Sequence, residues 1–151
     1  GQVSAPAPDF TLTGADGAPA RLSALWAQGP LLLVFYPGDD TAVCTAQLCE
    51  YRDRWADFRA AGVQVVGINP ASTARHQRFA TRHRFPFAVL SDPDQACSKA
   101  YGAKAWYGTR RVTVLIAKGG HEVWRRATWP FLRPRADELL GAVRNLTPVG
   151  R

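Results

Sequence analysis

Residues 31–49 read LLLVFYPGDDTAVCTAQLC, and the order of physical characters along them sets the architecture. Leu31 to Tyr36 is a continuous apolar run closed off by Pro30 and Pro37, the pattern of a strand covered on both faces. A polar turn follows, and then a segment in which Val43, Leu48, Tyr51, Trp55 and Phe58 recur at helical spacing. That spacing predicts one helix over about 41–60, with Gly62 where a left-handed residue would stop it. A strand ending in a polar turn delivers the start of the next helix to the carboxyl edge of a sheet, where open α/β sheets place their chemistry. Two of the three cysteines, Cys44 and Cys49, sit in that helix.

On the amino side, 6–22 reads as a hairpin-like pair of short strands around Gly14-Ala-Asp-Gly17, with Ser23 capping a short helix through Trp26. On the carboxyl side, 63–68 reads as a second buried strand. Ser72 or Thr73 starts a helix to about His83, and 87–90 is a short strand. Asp92 or Asp94 caps a helix that finishes near Tyr101-Gly102. Residues 111–116 and 122–128 form a hairpin through Lys118-Gly-Gly120, and the last helix runs over 135–146. Early strands alternating with helices imply parallel pairing, and the late hairpin adds antiparallel strands. The expected fold is a mixed α/β sheet flanked by helices on both faces, with an N-terminal β-hairpin, compatible with a thioredoxin-like fold. One domain covers 1–151. The stretch 103–110, with Trp106-Tyr107, fits none of these patterns, nor do Trp124 and Trp129.

The net charge of +7 (pI near 9.9) comes from arginines, with only three lysines. They are spread from Arg21 to Arg151 without a Lys/Arg block or a reading motif. A solvated basic surface is expected, and no nucleic-acid partner. The 31–36 run is far too short to cross a bilayer, so no membrane partner is expected either. Three cysteines cannot close a secreted disulfide framework. The chain opens Gly-Gln-Val and contains no methionine, so a start residue is expected to have been removed or replaced. No leader pattern is visible, which makes the cytoplasm the expected compartment.

Four uses of the cysteine pair are open: core packing, half a metal site, a structural disulfide, or a working redox pair. Metal binding needs about four ligands in local pairs. The spacing is not Cys-x-x-Cys, and His76, His83 and His121 make no close constellation with a further cysteine. No metal and no organic cofactor is expected. Geometry decides the disulfide. On an ideal helix five residues rise about 7.5 Å and turn about 140°, which sets the two Cα atoms about 8.7 Å apart. A bridge needs them within about 7 Å. The thiols cannot join while both lie in one intact helix, which leaves a bridge coupled to local unwinding. With Thr41 as N-cap, Cys44 takes the third helical position, where unpaired N–H groups and the dipole favour an anion. Cys49 receives less of this help, so Cys44 is the expected attacking thiol and Cys49 the resolving one. Cys97 reads as buried packing.

The stretch Tyr36-Pro-Gly-Asp-Asp-Thr-Ala-Val-Cys44 resembles the peroxiredoxin pattern Pro-x-x-x-Thr-x-x-Cys, with Pro37, Thr41 and Cys44 in register. The continuation to Cys49 resembles the Q-type, or bacterioferritin-comigratory-protein, branch, whose second cysteine lies five residues on. Residues 5–12, 66–70, 90–94 and Tyr101-Gly102 are similar to further family segments, and 111–116 resembles the strand carrying the family's arginine, which selects Arg111 over Arg110. The resemblance implies a thiol peroxidase acting on hydrogen peroxide and alkyl hydroperoxides. Thr41, the Cys44 N–H and Arg111 would hold the peroxide, and Pro37 would shield Cys44 from water. A Cys44 sulfenic acid would condense with Cys49, and thioredoxin would reopen the disulfide. It also implies a monomer. A thiol–disulfide oxidoreductase of the same fold would more naturally carry Cys-x-x-Cys and lack the Thr41–Arg111 pair, and a nucleic-acid-binding protein would owe nothing to Cys44.

Overall fold

The computed structural model describes residues 5–39, 41–129 and 131–146. In chain order these form β1 (Ala5–Pro6), β2 (Thr11–Gly14), β3 (Pro19–Arg21), α1 (Leu22–Trp26), β4 (Leu31–Phe35), α2 (Ala42–Asp53), α3 (Trp55–Ala60) and β5 (Gln64–Asn69). There follow α4 (Thr73–His83), β6 (Ala88–Ser91), α5 (Ala96–Ala100), β7 (Lys104–Ala105), β8 (Gly108–Thr109), β9 (Arg111–Ala117), β10 (His121–Thr128) and α6 (Ala136–Arg144). One sheet has the order β1-β10-β9-β4-β5-β6-β2-β3, and β7 pairs with β8 in a separate ribbon. The β4–β5 and β5–β6 pairs are parallel, while β9 lies antiparallel to β4 and to β10.

Every residue of β4 is buried, because both sheet faces are covered. On one face Leu32, Val34, Val65, Val89 and Leu115 meet Cys44, Leu48 and Tyr51 of α2, Phe58 of α3, Phe79 of α4 and Leu139 of α6. On the other, Leu31, Leu33, Phe35, Val66, Ile68 and Val114 meet Leu22 and Trp26 of α1, Cys97 of α5 and Tyr101. The crossovers through α2–α3 and through α4 thus share a face, as right-handed connections between successive parallel strands require. Each fully buried Leu or Phe contributes roughly 1.5–3 kcal/mol relative to an exposed one, so the central strands are anchored from both sides. The ends of β4 and β5 are fixed side by side.

Three local expectations change. The single helix over 41–60 is two helices, broken at Arg54 (φ −102°, ψ 19°). Arg54 ion-pairs with Asp57 and Asp137, and the break turns Trp55 onto Phe58 and Phe87, with ring centroids 6.3 and 5.7 Å away. Tyr51 and Phe58 reach the same core across the break, so the apolar spacing conceals it. Ser23 is not the cap of α1. Arg21 is, and the Asp9 carboxylate accepts both the Ser23 N–H and its hydroxyl, doing the capping from outside the helix. The N-cap of α5 is Gln95 in a left-handed conformation (φ 58°), while Asp92 accepts the N–H groups of Cys97 and Ser98, and Asp94 that of Ala96. The unassigned stretch 103–110 contains the β7–β8 ribbon, with Trp106-Tyr107 at its turn.

Candidate active site

Thr41 is the N-cap of α2, so Cys44 is the third helical residue. The first intrahelical bond of the turn runs from Thr45 N–H to the Thr41 carbonyl at 2.8 Å, which leaves the N–H groups of residues 42–44 without partners inside the helix. Helical period puts Cys44, Gln47, Leu48 and Tyr51 on one buried face. Arg111, the first residue of β9, is also buried and extends onto that face. One guanidinium nitrogen (Nη2) donates to Cys44 Sγ at 3.2 Å and the other (Nη1) to Gln47 Oε1. The amide of Gln47 donates to the Tyr51 hydroxyl (3.1 Å), which donates to the Pro134 carbonyl at 2.6 Å. Every donor in this chain points away from Arg111, so the guanidinium is fixed by a polar chain inside an apolar core. Arg110 lies on the surface and donates to the Gly102 carbonyl.

The loop before α2 is tied down separately. Asp39 is buried. Its Oδ1 accepts from the Tyr36 hydroxyl (2.6 Å) and the Asn69 amide (3.0 Å), and its Oδ2 lies 2.6 Å from His76 Nδ1 on α4. Gly67 makes room for this arrangement, since a Cβ there would stand 3.1 Å from the Tyr36 ring. Pro37 is half-buried, and it lines a cleft of about 410 Å³ with Thr41, Asn69 and Arg75. Thr41 is exposed and its hydroxyl donates to the Gly38 carbonyl at 3.1 Å, so it closes the loop and makes no cap bond of its own. Cys44 and Arg111 are thus in contact, with Thr41 and Pro37 on the loop that enters the same helix.

Cys49 lies in the same α2, half-buried beside Glu50, Asp53, Arg54, Arg133 and Arg135. Burial pushes its thiol pKa up, with Arg52 opposing and Asp53 adding to the effect. All three cysteines are free. Cys97 is on the opposite side of the sheet from Cys44, and burial together with Asp92 pushes its thiol far up. Among the described residues no cluster of His, Cys, Asp or Glu could hold a metal ion, and no helix is long and apolar enough to cross a membrane. Sequence reasoning gives no site role to Gln47, Asp39 or His76, and it marks Tyr51 only as an apolar helix position. Gln47 was within reach, being three residues from Cys44 on the same helical face.

A buried thiol at the start of a helix, met by a guanidinium at the carboxyl edge of a mixed sheet, defines a thioredoxin-fold protein with a cysteine site. A model of the AhpC/TSA family matches residues 3–122, and this chain belongs to that family, in its peroxiredoxin Q and bcp branch. A Coxiella burnetii protein named "Putative peroxiredoxin bcp" is 36% identical over 140 residues, covering 87% of this chain and 90% of that one. The chloroplastic peroxiredoxin Q of Triticum aestivum is 39% identical over 116 residues, covering 74% of this chain. The chain spans about half the length of that relative (53%). The crystal structure of peroxidoxin BcpB from Mycobacterium tuberculosis superposes with a TM-score of 0.88 at 27% identity, over 96% of this chain and 97% of the other.

Proposed function

We propose that this chain is a thiol-dependent peroxidase that reduces hydrogen peroxide and alkyl hydroperoxides through Cys44. The thiolate attacks one peroxide oxygen in line with the O–O bond. That bond breaks, the sulfur keeps the attacked oxygen as a sulfenic acid, and the other oxygen leaves with the electron pair and takes up a proton. The Arg111 guanidinium sets its positive charge against the thiolate sulfur before the attack and beside the leaving oxygen during it, where a fixed donor lowers the barrier most. The N–H groups at the start of α2 and the Thr41 hydroxyl complete the peroxide site, and Pro37 limits water access. The sulfenic acid then condenses with the Cys49 thiol, releasing water and forming a Cys44–Cys49 disulfide once the first turns of α2 unwind. A dithiol reductant of the thioredoxin type returns two electrons by exchange. The cycle requires a thiol-reducing compartment, for which we propose the cytoplasm, and we propose a monomer as the working form.

The observation that carries this reading is the 3.2 Å contact between Arg111 and the buried Cys44 sulfur at the third position of α2. The test is peroxide consumption coupled to thioredoxin and its reductase, followed by peptide mapping after one equivalent of peroxide. Cys44→Ser should abolish turnover, and Cys49→Ser should accumulate sulfenic acid. A bridge from Cys44 to Cys97 would defeat the resolving assignment, since the sheet lies between those two sulfurs.

A further inference from the structure

Among the described residues, the large apolar side chains that the fold leaves in solvent are gathered in one region. Trp106 is 97% exposed, Trp129 and Phe131 69%, Leu132 50% and Tyr107 48%. Trp106 meets Tyr107 edge-on at 5.5 Å, and Trp129 stacks on Phe131 at 6.5 Å. Between the two pairs lies a cleft of about 340 Å³ lined by Tyr107, Arg110, Arg126, Thr128, Trp129 and Leu132; Arg126 also pairs with Glu138 at 3.3 Å, while Arg110 reaches the Gly102 carbonyl. The turn that presents Trp129 and Leu132 is built: Leu132 N–H donates to the Trp129 carbonyl (2.9 Å), and the Thr128 hydroxyl donates to the Leu132 carbonyl (3.0 Å). Trp, Tyr and Arg are the side chains that dominate binding energy at protein interfaces, and folding alone gives no reason to leave them exposed together.

The patch also lies where the reaction cycle needs a partner. Thr128 pairs in register with Arg111, the residue that touches Cys44. Three residues beyond Leu132, the same segment has delivered Arg133 and Arg135 to the cleft that holds Cys49. A molecule seated on Trp129 and Leu132 therefore adjoins, along the chain, both the strand position paired with Arg111 and the segment that lines the Cys49 cleft. We propose that this aromatic, arginine-lined surface docks the protein that reopens the Cys44–Cys49 disulfide, and that this partner is an acidic dithiol protein with an apolar rim around its own thiols. This rests on the peroxidase reading above.

The chemistry of the surface separates this occupant from others. A small amphipathic ligand would be enclosed by the aromatic rings, whereas Trp106 stands almost wholly clear of the surface and only a broad partner can cover it. A second copy docked symmetrically would bring two arginine-bearing patches, each on a chain of net charge +7, against each other. An acidic partner turns the same charges into attraction. Once docked, the partner's thiolate attacks one sulfur of the bridge and forms a mixed disulfide, and the displaced sulfur leaves as thiolate and takes up a proton. The partner's second thiol then displaces the first, so the partner leaves oxidised by two electrons and both cysteines here are thiols again.

The test compares the wild type with a Trp106→Ala/Trp129→Ala variant, using an acidic thioredoxin and dithiothreitol as alternative reductants at saturating hydrogen peroxide. The variant should lose at least about tenfold in kcat/KM for thioredoxin while staying within about twofold for dithiothreitol and for the single-turnover reaction with peroxide. Wild-type turnover with thioredoxin should fall as salt rises. An unchanged thioredoxin kcat/KM in the variant overturns the docking surface, as does an equal loss with dithiothreitol. A concentration-dependent dimer of the wild type that the variant loses in sedimentation would assign the patch to a second copy. A rise in KM for a long-chain hydroperoxide with thioredoxin unaffected would assign it to substrate. Wild type that consumes no peroxide with dithiothreitol would remove the peroxidase reading itself, and the docking surface with it.

Discussion

Arg111 directs one nitrogen to Cys44 and the other to Gln47, so its value depends on the fork as well as the charge. Lysine offers a point charge with no second arm to be held. Arg111→Gln should lower the second-order rate of Cys44 with hydrogen peroxide by about 10²–10³-fold, the usual effect of removing a donor fixed on developing charge. Arg111→Lys should recover only a minor part of that loss. Stopped-flow tryptophan fluorescence reads both, and a lysine variant at wild-type rate would show that charge alone suffices. Asp39 makes the opposite kind of contribution, to the loop and not to the thiol. It and His76 have side chains wholly removed from solvent. His76→Leu removes one of three partners of a buried carboxyl group that keeps Tyr36 and Asn69, which should cost about 1.5–3 kcal/mol. His76→Asn keeps an N–H near the Nδ1 position and should recover part of it. Urea unfolding under reducing conditions measures both variants, and a leucine variant as stable as wild type would mean that the Asp39–His76 contact contributes nothing.

Helix α2 has two unequal ends. Its start is held by the Thr41 turn and by Arg111 on Cys44. Its later part is fastened to the chain before α6, through Tyr51 to the Pro134 carbonyl and through Glu50. The Glu50 carboxylate accepts the Ala136 N–H at 2.7 Å and pairs with Arg135 at 2.7 Å. That carboxylate satisfies one of the orphan donors at the start of α6, so α2 and α6 share an anchor. The proposed Cys44–Cys49 bridge would require the span between the cysteines to leave helical geometry, and α2 ends at the Arg54 break on the far side. Oxidation should remove amide-exchange protection over residues 45–50 and weaken it at 136–139. Protection in β4 and β5 should stay. Cys49→Ser treated with the same peroxide should keep its reduced pattern. Identical exchange in the two states, with the bridge demonstrated, would mean that the helix accommodates the disulfide without unwinding.

The two-sided sheet was legible because its cause is local: strands buried on both faces are apolar nearly throughout, as 31–36 is and as 63–68 is apart from Gln64 at its half-buried start. Cys44 and Thr41 were legible through their distance along one helix. Asp39 and His76 were not, because each is chosen by a partner far along the chain; helical period put Gln47 beside Cys44, but not its bond to Arg111. Nothing at position 39 announces a histidine thirty-seven residues later. Cys97, read as packing, lies with Tyr101 in the core on the far side of the sheet from Cys44, and this placement has a pH signature. Burial disfavours the charged forms of Cys97, Tyr101 and Tyr51, which raises each pKa above its ordinary value. All three therefore stay protonated in the fold at pH values where the unfolded chain has released its protons. The native state then binds more protons than the unfolded one, so stability falls as pH rises past 9.0 for the thiol and 10.0 for the phenols. Each group contributes a slope of up to about 1.4 kcal/mol per pH unit. Cys97→Ala removes the thiol's share, and groups common to both proteins cancel in the difference. Urea unfolding in reductant at about pH 8, 9 and 10 should show the wild type losing its lead over Cys97→Ala as pH rises, with most of the change above about pH 9. A lead constant across that window would mean that the thiol meets water or an opposing charge in the fold, and that the second core is not closed around it.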